Sequence, residues 1–291
     1  MQEKIQDFLN FLDSEKGYAD NTIAAYRNDL TQFMRYLEEK NDSDLANWFE
    51  VDKDIIINYV LNLKEREYTS STVARKVAAI KSFFHYLMAQ RIVTDDPTAT
   101  LDSPKVKKRL PKAISRDDIE RLLAAPAKRA SAKSQRDHAL LELLYASGMR
   151  VTELVSLDVS DVSLASGTVR VRGKKTSGKE RIIPVGERAL DALRTYLNKG
   201  RLQLVRDPEE RALFLNHRGQ RLTRQGLWLI IKHYVEEVGI SEDVTPHTLR
   251  HSFAAHKLSQ GKSLQDIQKL LGHANISTTQ VYQHVGQEPD S

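Results

Sequence analysis

Apolar positions recur at helical spacing along most of this chain, and the first hundred residues show it most plainly. Ile5, Phe8, Leu9 and Leu12 form one stripe, closed by Gly17. Ile23, Tyr26, Leu30, Phe33, Met34 and Leu37 form a second, with Asp20 or Asn21 as its expected cap and an end near Lys40. Ile55, Ile56, Tyr59, Val60 and Leu63 mark a third. The hydroxyls of Thr69-Ser-Ser-Thr72 open a fourth, in which Val73, Val77, Ile80, Phe84 and Leu87 return at intervals of three and four. Asp96-Pro97 closes the tail behind it. Four amphipathic helices with short connections predict a small bundle.

The pattern changes at residue 103. Ser103-Pro-Lys-Val-Lys-Lys-Arg-Leu-Pro-Lys112 is bounded by prolines, carries five basic residues and has no period, as a semi-extended interdomain linker would. The expected division is therefore 1–103, a linker over 104–112, and 113–291. In the last part, Ser115-Arg-Asp-Asp118 resembles a capping box, with Asp in place of Glu or Gln, and predicts a helix through Leu123. Gln135 to Ser147, rich in leucine, predicts another, stopped by Gly148. Val169–Arg172 and Arg181–Val185 alternate as strands on either side of Gly173-Lys-Lys-Thr-Ser-Gly-Lys179. Helices resume over about Glu187–Asn198 and Thr223–Val238, and again at Thr245, a cap with Pro246 in the first helical position. The class is mainly α: a four-helix bundle, then a mixed α+β domain with one small antiparallel sheet.

Composition narrows the class of function. At 291 residues two domains are the default, and 40% hydrophobic with 29% charged residues describes a globular protein. With no cysteine, disulfides and thiolate metal sites are excluded. No apolar run reaches membrane-spanning length and the first residues are unlike a signal peptide, so a cytoplasmic protein without a membrane partner is expected. The net charge of +5 hides an asymmetry. Residues 1–103 hold 12 basic and 18 acidic side chains, a balance of −6, and the rest hold 32 and 21, a balance of +11. A basic two-thirds suits a polyanion, although a solvated basic surface would count the same.

Candidate chemistry collects near the end. His247 and Arg250 lie one helical turn apart, so both can point at one spot. His273 follows a glycine, and Tyr282 comes nine residues later in a polar segment. Upstream, Arg150 sits just past the Gly148 stop, with Glu153 three residues on and placed to orient it. Imidazole, guanidinium and phenol can bind a phosphodiester and attack it, and no carboxylate interrupts the set as a Mg²⁺ site would require. Neither a metal nor a cofactor is expected.

His247-x-x-Arg250, Leu271-Gly-His273, Tyr282 and Ala146-Ser-Gly-Met-Arg150-Val-Thr-Glu-Leu154 together resemble the tyrosine recombinase family, and most of all the Xer-type recombinases of bacteria and archaea. The likeness runs over nearly the whole chain, with its motifs in order. It implies an N-terminal SAM-like core-binding bundle and a catalytic domain of the fold shared with type IB topoisomerases. It also implies site-specific recombination through a 3′-phosphotyrosyl intermediate and a Holliday junction, in resolving chromosome or plasmid dimers. Tyr282 would be the nucleophile, and Arg150 and Arg250 would grip the non-bridging oxygens; His247 is a candidate acceptor of the tyrosine proton and His273 a candidate hydrogen-bond donor to the phosphate, a division of labour that the sequence leaves open. A hairpin lysine would be the general acid. The family's Gly-Lys-x-x-Lys-Glu-Arg pattern is lengthened here, which leaves Lys174 or Lys175, with Lys179 less well placed; Lys174 is preferred for its position after Gly173. His251, His256 and His284 fall outside the motif and are expected to be structural or solvent-facing.

In this family the bundle closes one side of a clamp on DNA. Thr69, Ser70, Arg75, Lys76 and Lys81, with His85, are then the expected phosphate contacts on the polar face of the fourth helix, and Lys105, Lys107, Lys108 and Arg109 those of the linker. The implied partners are double-stranded DNA with an inverted-repeat core site and a homotetramer, or a heterotetramer with a related recombinase, docking through about Gln283 to Gly286. A DNA translocase as activator stays open. So do three other readings: a mobile-element integrase, a type IB-like nicking and closing enzyme, and a non-catalytic DNA-binding regulator. A His-based metal hydrolase has no His-Glu-x-x-His to support it.

Overall fold

The computed structural model describes residues 1–40, 47–102, 113–172, 180–240, 244–273 and 275–282. It divides into two units, Met1–Lys108 and Arg109–Ser291. Among the described residues, no helix is long and apolar enough to cross a membrane.

The first unit holds α1 (Gln2–Ser14), α2 (Asp20–Lys40), a short turn of 3₁₀ helix (Trp48–Glu50), α3 (Lys53–Glu65) and α4 (Ser70–Ala89). Each stripe read from the sequence turns inward: Ile5, Phe8, Leu9 and Leu12 of α1 meet Leu30, Phe33, Tyr59, Phe83 and Phe84 in one core. Trp48 joins them edge-on to Phe83, with ring centroids 4.8 Å apart, and its indole donates to the carbonyl of Met1. Thr69 caps α4 by accepting from the Thr72 N–H, as expected. The start of α2 differs. Both expected caps are already helical, and the Thr22 and Ile23 N–H groups bond instead to the Ala19 carbonyl.

Lys76 does not lie on a solvated face. It is 5% exposed, and its ammonium donates to Asp29 at 2.9 Å and to Gln32 at 2.5 Å, over the ring of Tyr68. Asp29 is itself buried and also pairs with Arg75. The carboxylate buried in α2 draws Arg75 and Lys76 of α4 toward it, an attraction that the spacing of apolar residues along α4 does not contain. Lys81 donates to the Leu101 carbonyl and His85 lies 3.0 Å from Asp96. Thr69 and Ser70 are exposed at the helix start.

The second unit runs α5 (Arg116–Ala124), α6 (Ala132–Ser147), α7 (Val151–Ser156), β1 (Val162–Ser163), β2 (Thr168–Val171), β3 (Arg181–Pro184), α8 (Glu187–Thr195), a π-helical turn (Tyr196–Gly200), α9 (Arg201–Leu204), α10 (Arg224–Glu237), α11 (Pro246–Ser259), α12 (Leu264–Leu271) and α13 (Ser277–Gln280). The sheet is antiparallel in the order β1-β2-β3, with Val169 opposite Ile183. Two-residue β1 has too little sequence to show an alternation. Helix α6 is enclosed: Leu140, Leu141, Leu143 and Leu144 are fully buried, and so nearly are Arg136, Asp137 and Glu142. Those charges are matched, Arg136 to Asp137 inside at 2.7 Å and Glu142 to the exposed Arg188 at 3.0 Å. It begins three residues before the leucine-rich stretch suggests, because Ser131 caps it by accepting from the Ser134 N–H.

Helix α6 stops at Gly148 in the left-handed conformation, φ +58°, and a Cβ there would stand 2.3 Å from Cδ1 of Phe253. Glycine serves both the turn and the close approach of α11. Gly148→Ala should therefore lower stability by roughly 2–4 kcal/mol, left-handed strain and overpacking together, read as a shifted midpoint in denaturant unfolding.

Candidate active site

Two helix ends build the site. Gly148 terminates α6 and Gly272 terminates α12, both left-handed, so both helices present free carbonyls at their C-termini. Arg250, on the second turn of α11, donates to the Gly148 carbonyl at 2.5 Å and to the Leu271 carbonyl at 2.8 Å. Arg150, the N-cap of α7, donates to the Gly272 carbonyl at 3.2 Å. Partial negative charge at a helix C-terminus favours a cation, and carbonyls hold a guanidinium without neutralising it.

One carboxylate does sit beneath the cluster. Glu153 accepts from the Arg150 N–H at 2.7 Å and the Arg150 guanidinium at 3.1 Å, in the orienting position its spacing suggested. It also accepts both arms of Arg181, at 2.9 and 2.8 Å. Burial pushes its carboxyl up, but the Arg181 fork and the Arg150 bonds outweigh this and hold it below the usual carboxylate range. Arg181 reaches further, to the Leu270 carbonyl at 3.2 Å, and a Cβ on Gly272 would meet its Nη1 at 2.9 Å.

Arg250 is 6% exposed, and among the described residues it makes no ion pair with a carboxylate. Burial first, and Arg150 second, lower its pKa to about 10. It stays protonated at neutral pH, but at a cost that a bound anion would relieve. His273 shares the strain. Its Nε2 lies 3.0 Å from Arg250 Nη2 and its Nδ1 2.9 Å from Thr279 Oγ1. A guanidinium only donates, so Nε2 accepts and the proton is assigned to Nδ1. Burial, then Arg250 and Arg150, lower the imidazole to about 4. In the free protein His273 is thus a neutral acceptor; donating to a phosphate through Nε2 requires the proton that an incoming anion would favour.

Tyr282, expected beside this pocket, is 3% exposed and packs with Phe253, Ile267 and Leu271. Its hydroxyl lies 2.8 Å from His251 Nδ1. Burial raises its pKa, against a lowering by Arg250 and then Arg150. His247 is exposed on the first turn of α11, so the histidine on the phenol is the one set aside as structural or solvent-facing. His256 does have a structural partner, the Tyr145 hydroxyl at 2.7 Å. Lys174, Lys175 and Lys179, the linker cations Lys105, Lys107, Lys108 and Arg109, and His284 lie outside the described residues.

The structure thus brings Arg150, Arg250, His273 and Tyr282 into one electrostatic neighbourhood and adds His251, Thr279 and Arg181 to them. Helical spacing could have found His251, four residues after His247 on the same face of α11. Arg181 falls on the last position of the hairpin pattern, which gives it no role there; nothing local marks Thr279. Among the described residues, no group of three or more His, Asp or Glu is arranged to hold a metal.

Comparison with known proteins follows the same lines. Residues 112–288 match the phage integrase family, and residues 5–91 match its N-terminal SAM-like domain. Tyrosine recombinase XerC of Herpetosiphon aurantiacus is 51% identical over 288 residues, 99% of this chain and 92% of that protein. Tyrosine recombinase XerD of Oceanobacillus iheyensis is 42% identical over 286 residues, 98% and 94% of the two. Among solved structures, the XerH site-specific recombinase bound to palindromic difH substrate, a post-cleavage complex, shares the fold with a TM-score of 0.76 at 22% identity, covering 99% of this chain and 86% of that one.

Two outcomes follow from the geometry. Arg181→Ala should cost about 2 kcal/mol, less than a fully buried pair because both groups are partly exposed, and should slow any reaction that needs Arg150 in place. The second concerns pH. His273 has a folded pKa of about 4 against an ordinary 6.5, so the unfolded chain takes up the proton first as pH falls. Its contribution to stability is complete above about pH 6.5 and is lost between there and about pH 4. His273→Gln should flatten the fall in melting temperature over that window, in part only, since His251 and His256 are lowered as well.

Proposed function

The chain belongs to the phage integrase family and is an Xer-type tyrosine recombinase, a DNA strand-transferring enzyme of site-specific recombination; on that premise we propose how its residues perform the reaction. The observation that carries the proposal is the pair of crowded guanidiniums, Arg150 and Arg250, held by helix-end carbonyls within electrostatic reach of a tyrosine of the same chain. A DNA phosphate brings the negative charge this arrangement lacks. Arg150 and Arg250 take its non-bridging oxygens, and their grip tightens as charge builds in the pentacoordinate transition state. His247, exposed one turn before Arg250, contacts the phosphate, and His273 gains a proton beside it and donates through Nε2.

Tyr282 then attacks phosphorus. The new ester joins the 3′ phosphate to the phenol oxygen, and the 5′ oxygen leaves with a proton from the hairpin ammonium, assigned to Lys174. The phosphotyrosyl bond keeps the energy of the diester for rejoining to a second strand, so neither ATP nor a metal is called for. DNA is the partner and the protein works as an oligomer on it. The finer assignment is a tetramer on an inverted-repeat core site that resolves chromosome or plasmid dimers through a Holliday junction, in the cytoplasm. Matches to both XerC and XerD proteins are compatible with self-assembly and with pairing to a related recombinase. Thr69, Ser70, Arg75 and Lys81 remain the proposed contacts of the first unit, and Lys105, Lys107, Lys108 and Arg109 those of the linker. Lys76 is not among them, because its ammonium is buried against Asp29 and Gln32, whereas Arg75, on the same carboxylate, keeps 45% of its side chain exposed.

Sequencing the DNA attached to covalent adducts recovered from cells defines the site. On a nicked duplex of that sequence, the native protein should accumulate an adduct insensitive to chelator, and Tyr282→Phe should form none while binding the duplex with unchanged affinity. A plasmid with two sites should yield resolved circles; relaxed circles alone would show a nicking and closing enzyme instead.

A further inference from the structure

The proposed chemistry needs a place for the tyrosine proton. A phenol near pKa 10 is about 0.1% ionised at neutral pH, and burial makes Tyr282 a weaker acid still. His247 was the natural choice from the motif. The geometry offers another. Tyr282 is fixed by its ring against Phe253, Ile267 and Leu271, and its hydroxyl partner among the described residues is His251 Nδ1, at 2.8 Å. The two ring centroids stand 5.4 Å apart. Both nitrogens of His273 are engaged, one by Arg250 and the other by Thr279.

Resting on Tyr282 as nucleophile, we infer that His251 is a further catalytic residue, the base that takes the Tyr282 proton as cleavage begins and returns it on religation. As the bond from the phenol oxygen to phosphorus forms, the O–H bond breaks and its proton passes to Nδ1, leaving an imidazolium. The P–O5′ bond breaks in the same displacement, and the departing oxygen takes its proton from the separate acid, the hairpin ammonium. Religation reverses each transfer.

The surroundings fit a base at rest. His247 and Arg250 on α11 face His251, and it lies in the field of His273 beyond α12; with burial as the larger cause, its imidazole is held below the ordinary 6.5. A neutral ring at neutral pH keeps a lone pair on Nδ1 for the phenol. The sign for activity follows: cleavage should rise with pH through the histidine range and level off once His251 has lost its proton. Arg150 and Arg250 act on the other partner, each lowering the cost of the phenolate.

The test measures single-turnover adduct formation by the full-length protein on the nicked duplex defined by adduct sequencing, from pH 5 to 8.5. His251→Ala and His251→Asn should each slow it about 100-fold, the lower end of the range for a general base, and both should lose the acid limb. In His251→Asn melting temperature and affinity for the duplex should hold, since Asn keeps an acceptor near the Nδ1 position. Replacing Tyr282 with a difluorotyrosine, a more acidic phenol, should restore much of the rate of His251→Ala, as no packing role would. Native rate in His251→Asn overturns the proposal in favour of a hydrogen bond that only positions the hydroxyl. A faster His251→Ala overturns it in favour of a resting brake, and an unchanged one leaves His251 no part. These outcomes strike His251 alone. An adduct that survives Tyr282→Phe would instead overturn the reading of Tyr282, and this inference with it.

Discussion

Positive charge gathered without its counter-ion is the constraint around which the second unit is arranged. Arg250 is buried beside Arg150, and neither burial nor a second guanidinium favours it. A carboxylate against Arg250 would steady it, and would also fill the place of a phosphate. The fold uses backbone carbonyls instead, from the ends of α6 and α12. Dipoles orient a guanidinium while leaving its charge unspent. Among the described residues the acid of the cluster is Glu153, which lies under Arg150 and is shared with Arg181, on the side that anchors the cluster to the fold. Stability is held back where a ligand will supply it, a familiar exchange at sites of function.

How much of this was legible depends on whether the information was local. The helices of the first unit could be read because each buries a single stripe: Ile5, Phe8, Leu9 and Leu12 need only a period of 3.6 to be recognised. The Gly148 stop could be read as well, since it follows a helical pattern and precedes Arg150. Helix α6 was harder to bound, because a helix buried all round has no polar face to phase against. Lys76 failed for a related reason. Its neighbours along α4 say it faces outward, and only Asp29, 47 positions earlier, says otherwise.

The site divides in the same way. Arg150, Arg250, His273 and Tyr282 were found through motifs, which compress long-range geometry into short strings. Arg181 closes the hairpin pattern and Thr279 lies in the polar segment before Tyr282, but neither string shows the contact through which each works, one to Glu153 and Leu270 and the other to the ring of His273. His251 is the instructive case. It was visible, one position after Arg250, and was set aside by reliance on the motif. The same helical period that paired His247 with Arg250 also puts His251 on their side of α11.

Arg181 opens β3, yet its side chain ends on α7 and under the last turn of α12. One side chain therefore fastens together three segments that lie far apart along the chain, much as a tie-rod braces a frame. A pull on the strand would be felt by Arg150 through Glu153 and by His273 through the Gly272 corner at once. The site should accordingly loosen or tighten as a unit, and a disturbance at the sheet should show itself in groups that the sheet never touches.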